Sequence, residues 1–107
     1  MNQAMPKNLD QAFKEINEEL LEMFLKKHKD YGKGNILANK ELGIAMRISE
    51  KVERAKHLLV TGQDPQNETI DETWIDIAVY AVIGAMYRRK WFQKLEVEKK
   101  SKEKSPC

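Results

Sequence analysis

The 107-residue sequence predicts an all-α fold, a three-helix antiparallel unit that completes a helical bundle by dimerisation. Three observations predict it. Apolar residues recur at spacings of three and four in successive segments, the period of one helix face. Glycines at 32, 34 and 62 stand where the first two periodic segments stop. The third segment is apolar nearly all round, and a helix with no wet side is buried on every side. Two other helices of this length do not easily surround it, so a partner chain supplies the remainder.

The first helix spans about 9–29. Leu9, Phe13, Ile16, Leu20 and Phe24 form its apolar stripe, Asn8 caps its start with Gln11 as capping-box partner, and Lys26 to Lys29 suit the negative end of the dipole. A loop from Asp30 to Ala38 follows. The second helix spans about 39–60, with Ile48, Val52, Ala55 and Leu59 inward and Gly62 as its stop. A turn around Asp64-Pro65 leads to the third helix, about 70–92, which opens on the capping box Thr69-Ile70-Asp71-Glu72. Ala81 and Gly84 on it allow close helix approach. Residues 1–95 make one helical domain, and 96–107 read as a solvated, charged tail.

Composition narrows the function. Hydrophobic residues at 41% and charged residues at 34% suit amphipathic helices. The net charge of +2, from 19 Lys and Arg against 17 Asp and Glu, gives no strong pull toward DNA or RNA. No stretch approaches the apolar length of a membrane span, and the start shows no signal-peptide core. The lone Cys107 cannot form an internal disulfide, which suits a reducing, cytoplasmic setting.

The sharpest chemical feature is Asp76, a carboxylate inside the most apolar helix. Such a group needs an ion pair, hydrogen bonds or a metal. An ion pair with Arg47, Lys51 or Arg54 is one reading. The other joins it with Glu72, one turn away on the same face, and with the i, i+3 pair Glu50 and Glu53 of the second helix. In a lone three-helix unit that second pair faces water, while a dimer can turn it toward Glu72 and Asp76. Four gathered carboxylates are hard oxygen ligands that suit Mg²⁺ or Mn²⁺. The cations Lys33, Arg47, Lys51 and Arg54, with Lys29 nearby, are candidates to hold phosphates. Gly32-Lys33-Gly34 lacks P-loop spacing, and His57 reads as an end-of-helix cation.

The blocks His28-Lys29-Asp30-Tyr31-Gly32, Arg47-Ile48-Ser49-Glu50-Lys51-Val52-Glu53-Arg54-Ala55-Lys56 and Thr69-Ile70-Asp71-Glu72-Thr73-Trp74-Ile75-Asp76-Ile77-Ala78-Val79-Tyr80-Ala81 together resemble the nucleotide modification associated domain 1 family. That family looks like a branch of the MazG-like all-α pyrophosphohydrolases of bacteria and phages. The resemblance covers about 28–87. It implies a Mg²⁺-dependent enzyme that cuts a nucleoside triphosphate between the α and β phosphates. Glu50 and Glu53 match the first acid pair. The second departs from the pattern, because Thr73 stands where it has Glu, and the acid before Asp76 is Glu72. The resemblance also places Asp30 and Tyr31 beside the substrate. Two further readings stand beside this one: a nucleotide-binding or sequestering protein without turnover, and a helical protein-interaction module.

Overall fold

A computed structural model describes residues 4–62 and 69–98. These form four helices and no strand: α1 Leu9–Tyr31, α2 Gly34–Thr61, α3 Ile70–Arg88 and α4 Trp91–Lys94. The all-helical class is as predicted. The expected turn at 63–68 and positions 99–107 of the tail, with Cys107, lie outside the described residues. No helix among the described residues is long and apolar enough to cross a membrane.

Helix α1 begins at the predicted cap, where the Asn8 side chain accepts from the Gln11 N–H at 2.8 Å. Gln11 in turn accepts from the Lys7 N–H at 2.8 Å, so the reciprocal bond closes one residue ahead of the cap. The helix runs through Asp30 and Tyr31 before Gly32, at φ 68°, ends it. Only its second half reaches the core, through Leu20, Met23 and Phe24. Leu9 and Phe13 remain 85% and 71% exposed, because α1 is longer than the surface it covers.

The predicted loop at 30–38 shrinks to Gly32 and Lys33, since α2 already starts at Gly34. It is two helical pieces joined at Lys40, whose φ of 64° and ψ of −168° lie in a region nearly reserved for glycine. The long piece begins where the sequence placed the whole helix, at about 39. A Cβ on Gly43 would stand 2.4 Å from Asn39 Cβ, so the absent side chain is what lets the short piece fold back so closely. Glycine at Lys40 removes the backbone strain, and Lys40→Gly is expected to stabilise the protein by about 1 kcal/mol. Urea unfolding checks this; a lower midpoint would show that the Lys40 side chain earns its place by contacts that outweigh the strain.

The inward ridge of α2 is Ile44, Ile48, Lys51, Ala55 and Leu58, not the predicted Ile48, Val52, Ala55 and Leu59. Val52 and Leu59 are 37% and 63% exposed. The helix is turned so that Lys51, rather than Val52, faces α3, where it meets the one carboxylate on that helix's inner side.

Helix α3 starts with the predicted capping box. The Thr69 hydroxyl accepts from the Glu72 N–H at 3.1 Å, and the Glu72 carboxylate accepts from the Thr69 N–H at 3.0 Å. Thr73, Val79 and Ile83 are buried. The helix ends at Arg88 rather than 92, because Lys90 adopts a left-handed conformation (φ 67°, ψ 14°). That turn sends α4 back, and Phe92 joins Ile44, Val79 and Ile83 in the core. The ion pairs and bonds Arg88–Glu41, Arg47–Tyr80 and Lys51–Asp76 run in opposite order along the two helices, so α2 and α3 are antiparallel. A Cβ on Gly84 would lie 3.6 Å from Ile44 Cγ2, so the close approach this glycine offers is used by α2 of the same chain. The opposite face of α3 carries Trp74 and Val82, 54% and 47% exposed, with Ala81 and Ala85 also exposed.

Candidate functional site: a basic aromatic cleft

The two-residue link between α1 and α2 and the kink at Lys40 leave an open cleft above the inner face of α3. Its volume is about 330 Å³, at the lower end of the range for small-molecule sites. Helix α1 contributes Phe24, Lys27, His28 and Tyr31; α2 contributes Asn35, Asn39, Arg47 and Lys51; α3 contributes Tyr80, and Phe92 of α4 closes one wall. Three cations therefore face a space with two tyrosines and two amide side chains.

The cations are held in place. Asp76 sits between two of them, with Lys27 Nζ at 3.3 Å and Lys51 Nζ at 3.0 Å. Its side chain is 13% exposed, against 40% for Lys27 and 23% for Lys51. The ion-pair reading of Asp76 thus gains a structural counterpart in Lys51, and Lys27 adds a second partner. Arg47 stands with its guanidinium carbon 5.7 Å from the centre of the Tyr80 ring and donates to the Tyr80 hydroxyl at 3.3 Å. His28 stacks obliquely on Phe24 at 5.5 Å and stands perpendicular to Phe92 at 6.4 Å. Tyr31, 76% exposed, stands at the rim.

The other residues singled out from the sequence fall elsewhere. Lys33 donates to the Leu95 carbonyl at 2.6 Å and pairs with Glu96 at 3.1 Å, with its ammonium 5.7 Å from the Phe92 ring centre. It ties down the C-terminal segment and does not line the cleft. Arg54 does not line it either, and Asp30 is exposed outside it. Glu50 and Glu53 lie on the exposed side of α2, where Glu53 pairs with Lys56 at 3.3 Å. Glu72 is engaged in the capping box. In a single chain the sequence has Glu50 and Glu53 facing water, as they do, and turns them toward Glu72 and Asp76 only in a dimer; within one chain the acids that share a groove with those two are Glu19 and Glu22 of α1, with Asp71 and Lys27 also lining it.

These acids do not fit a bound metal as they stand. Asp76 already neutralises two ammonium groups, and among the described residues no three carboxylate, imidazole or thiol groups are gathered to hold one ion. Their oxygen chemistry suits Mg²⁺, but their arrangement in the single chain does not.

Lys27 was legible in one respect. It continues the stripe of Leu9, Phe13, Ile16, Leu20 and Phe24 at the same three-four spacing, so a cation on an apolar face was there to pair with an anion on another. Tyr80, Asn35 and Asn39 gave no such signal, since only the fold brings them to one space. No protein-family model, curated protein or solved structure matches this chain.

Proposed function

We propose that the cleft binds a nucleotide or closely related phosphorylated small molecule, and that the protein acts as a nucleotide-binding or sequestering protein. The observation that supports this most is the convergence of Lys27, Arg47 and Lys51 with Tyr31 and Tyr80 on one cleft. Cations bind phosphate oxygens by charge-assisted hydrogen bonds, and Arg offers a planar fork for two of them. Tyrosine rings stack on a base, and Asn35 and Asn39 supply both donors and acceptors for its polar edge. The sequence resemblance to nucleotide-handling proteins points to the same ligand class. The working form is taken to be a homo-oligomer that covers the outward face of α3.

A second reading, Mg²⁺-dependent cleavage of the same nucleotide, has one observation in its favour: the groove lined by Glu19, Glu22, Asp71, Glu72 and Asp76 adjoins the cleft and shares Lys27 with it.

Calorimetric titration with ribo- and deoxynucleoside mono- and triphosphates, with and without Mg²⁺, followed by product analysis, separates the two. The expected result is binding that does not require metal, weakens with salt, and leaves the nucleotide intact. Arg47→Ala is expected to weaken it at least about tenfold, the loss of one to two charge-assisted bonds. Pyrophosphate released only with Mg²⁺, and lost in Glu22→Gln, would overturn the sequestering reading in favour of the enzyme. No binding to any member of the panel would overturn both.

A further inference from the structure

Residues 34–39, the short piece of α2, have the same unusual backbone conformation at both ends. Gly32 stands at φ 68°, ψ −159° and Lys40 at φ 64°, ψ −168°. Glycine adopts this conformation freely, while a residue with a Cβ is strained in it. One joint is therefore relaxed and the other is loaded. Between them the piece is held as one body. The Leu37 N–H donates to the Lys33 carbonyl at 3.0 Å, and the Asn39 side chain donates to the Asn35 carbonyl at 2.9 Å. The helices beyond the joints are tied down. Arg88 of α3 holds Glu41, directly after the loaded joint, with two contacts of 3.0 Å. On the other side the Gly32 N–H closes α1 on the His28 carbonyl at 2.8 Å.

This piece is also a wall of the cleft, which Asn35, Ile36 and Asn39 line together with Arg47, Lys51 and Tyr80. Two influences act on it in opposite directions. Ile36 packs against the core, and the neighbouring Lys33 reaches from the link to the C-terminal segment. There its side chain, only 13% exposed, donates to the Leu95 carbonyl at 2.6 Å and pairs with Glu96 at 3.1 Å. Both contacts hold the wall in. The strain at Lys40 is released as soon as the wall swings out, so it acts the other way. A short body set between two joints, with few contacts and stored strain, opens before the rest of the fold.

We propose that residues 34–39 form a lid on the cleft, hinged at Gly32 and Lys40, latched by Lys33 on Leu95 and Glu96, and driven open by the strain at Lys40. Its purpose, to admit a ligand and then close Asn35 and Asn39 onto it, rests on the nucleotide reading. Its motion is a property of the free chain.

Hydrogen exchange of the ligand-free full chain, read by NMR at Leu37, Ala38 and Asn39, tests the motion. Exchange there is expected to be at least about tenfold faster than at 44–58 of the long piece. Lys33→Met removes a charge-assisted bond and is expected to speed exchange at 37–39 by about another tenfold, with 44–58 unchanged. Lys40→Gly removes the strain and is expected to slow exchange at 37–39 severalfold. A helix end that merely frays responds to Lys40→Gly in the opposite sense, because glycine weakens a helix. That response would overturn the lid, and so would exchange at 37–39 as slow as at 44–58 in both the wild type and Lys33→Met. Faster exchange throughout the chain in Lys33→Met would show that Lys33 supports the whole fold, and would overturn the latch. Millimolar ATP or dATP, where calorimetry shows that it binds, is expected to slow exchange at 37–39. Binding that leaves these amides unchanged would overturn closure over the ligand. No binding would overturn the nucleotide reading alone, and the hinge would still be decided by the free chain.

Discussion

Phe92→Ala is expected to destabilise the protein by about 3–5 kcal/mol, the range for deleting a buried aromatic side chain. The reason lies in how few side chains carry the core. Only six apolar residues are buried among those described: Ile44, Ala55, Leu58, Val79, Ile83 and Phe92. Phe92 is the largest of them, 5% exposed, and it arrives from a four-residue helix that has little hold of its own. Its ring packs perpendicular to His28 and lies under the Lys33 ammonium, so it joins α1, α3 and the start of α2 at one point. Domains of this size are stable by about 5–15 kcal/mol, so the loss is a large share of the whole. Urea unfolding with an unchanged slope but a much lower midpoint is the expected outcome. A loss below about 1 kcal/mol would mean that α4 is not part of the cooperative unit. Because Phe92 also forms a wall of the cleft, the variant is expected to bind the cleft ligand less tightly at a temperature where it is still folded.

Asp76→Ala carries the second large effect, and its two consequences run in opposite directions. Removing a mostly buried carboxylate leaves Lys27 and Lys51 facing each other without their common anion. Breaking a fully buried pair costs about 3–5 kcal/mol, but Lys27 is 40% exposed and water screens part of the loss, so about 2 kcal/mol is expected. The same change takes the Asp76 carboxylate off the Lys27 and Lys51 ammonium groups beside the cleft, and so removes a negative charge that competes with a bound anion. Affinity for inorganic phosphate, measured by titration calorimetry, is therefore expected to rise severalfold while stability falls. Asp76→Asn keeps the shape and one hydrogen-bond acceptor, so it is expected to show the gain in phosphate affinity at a smaller cost in stability. A protein that loses stability and gains no affinity would show that the two lysines do not reach the ligand. A hydrolase that needs Asp76 as a metal ligand would lose Mg²⁺-dependent product formation in both variants.

Much of the architecture can be read from short-range chemistry. The cap at Asn8, the capping box at Thr69 and Glu72, and the stops at Gly32 and Gly62 are local contacts between residues at most four apart, and all are present. The departures share a cause. The start of α2 moved because Lys40 holds a conformation that its side chain disfavours, which no propensity suggests. The end of α3 moved because Lys90 turns left-handed so that Phe92 can be buried, a gain from residues far along the chain. The inner ridge of α2 was misread by one position, at Lys51 against Val52. Hydrophobicity alone favours Val52 there, and the Asp76 carboxylate on the neighbouring helix decides otherwise.

What the sequence by itself determined is the helical class, the three main segments, the caps that bound them and the need of Asp76 for a counter-charge. Each follows from spacing along one chain or from the cost of burying a lone carboxylate. Only the tertiary structure decided which charges meet. It set Lys27 and Lys51 on Asp76, drew Lys33 away to the C-terminal segment, brought Glu19 and Glu22 to the groove of Glu72 and Asp76, and assembled Tyr80 and Arg47 into the cleft. The physical reason is that a helix fixes which of its residues share a face, while the rotation of one helix against another is set by the whole contact, and a turn of about 100°, one residue, exchanges an acid for its neighbour.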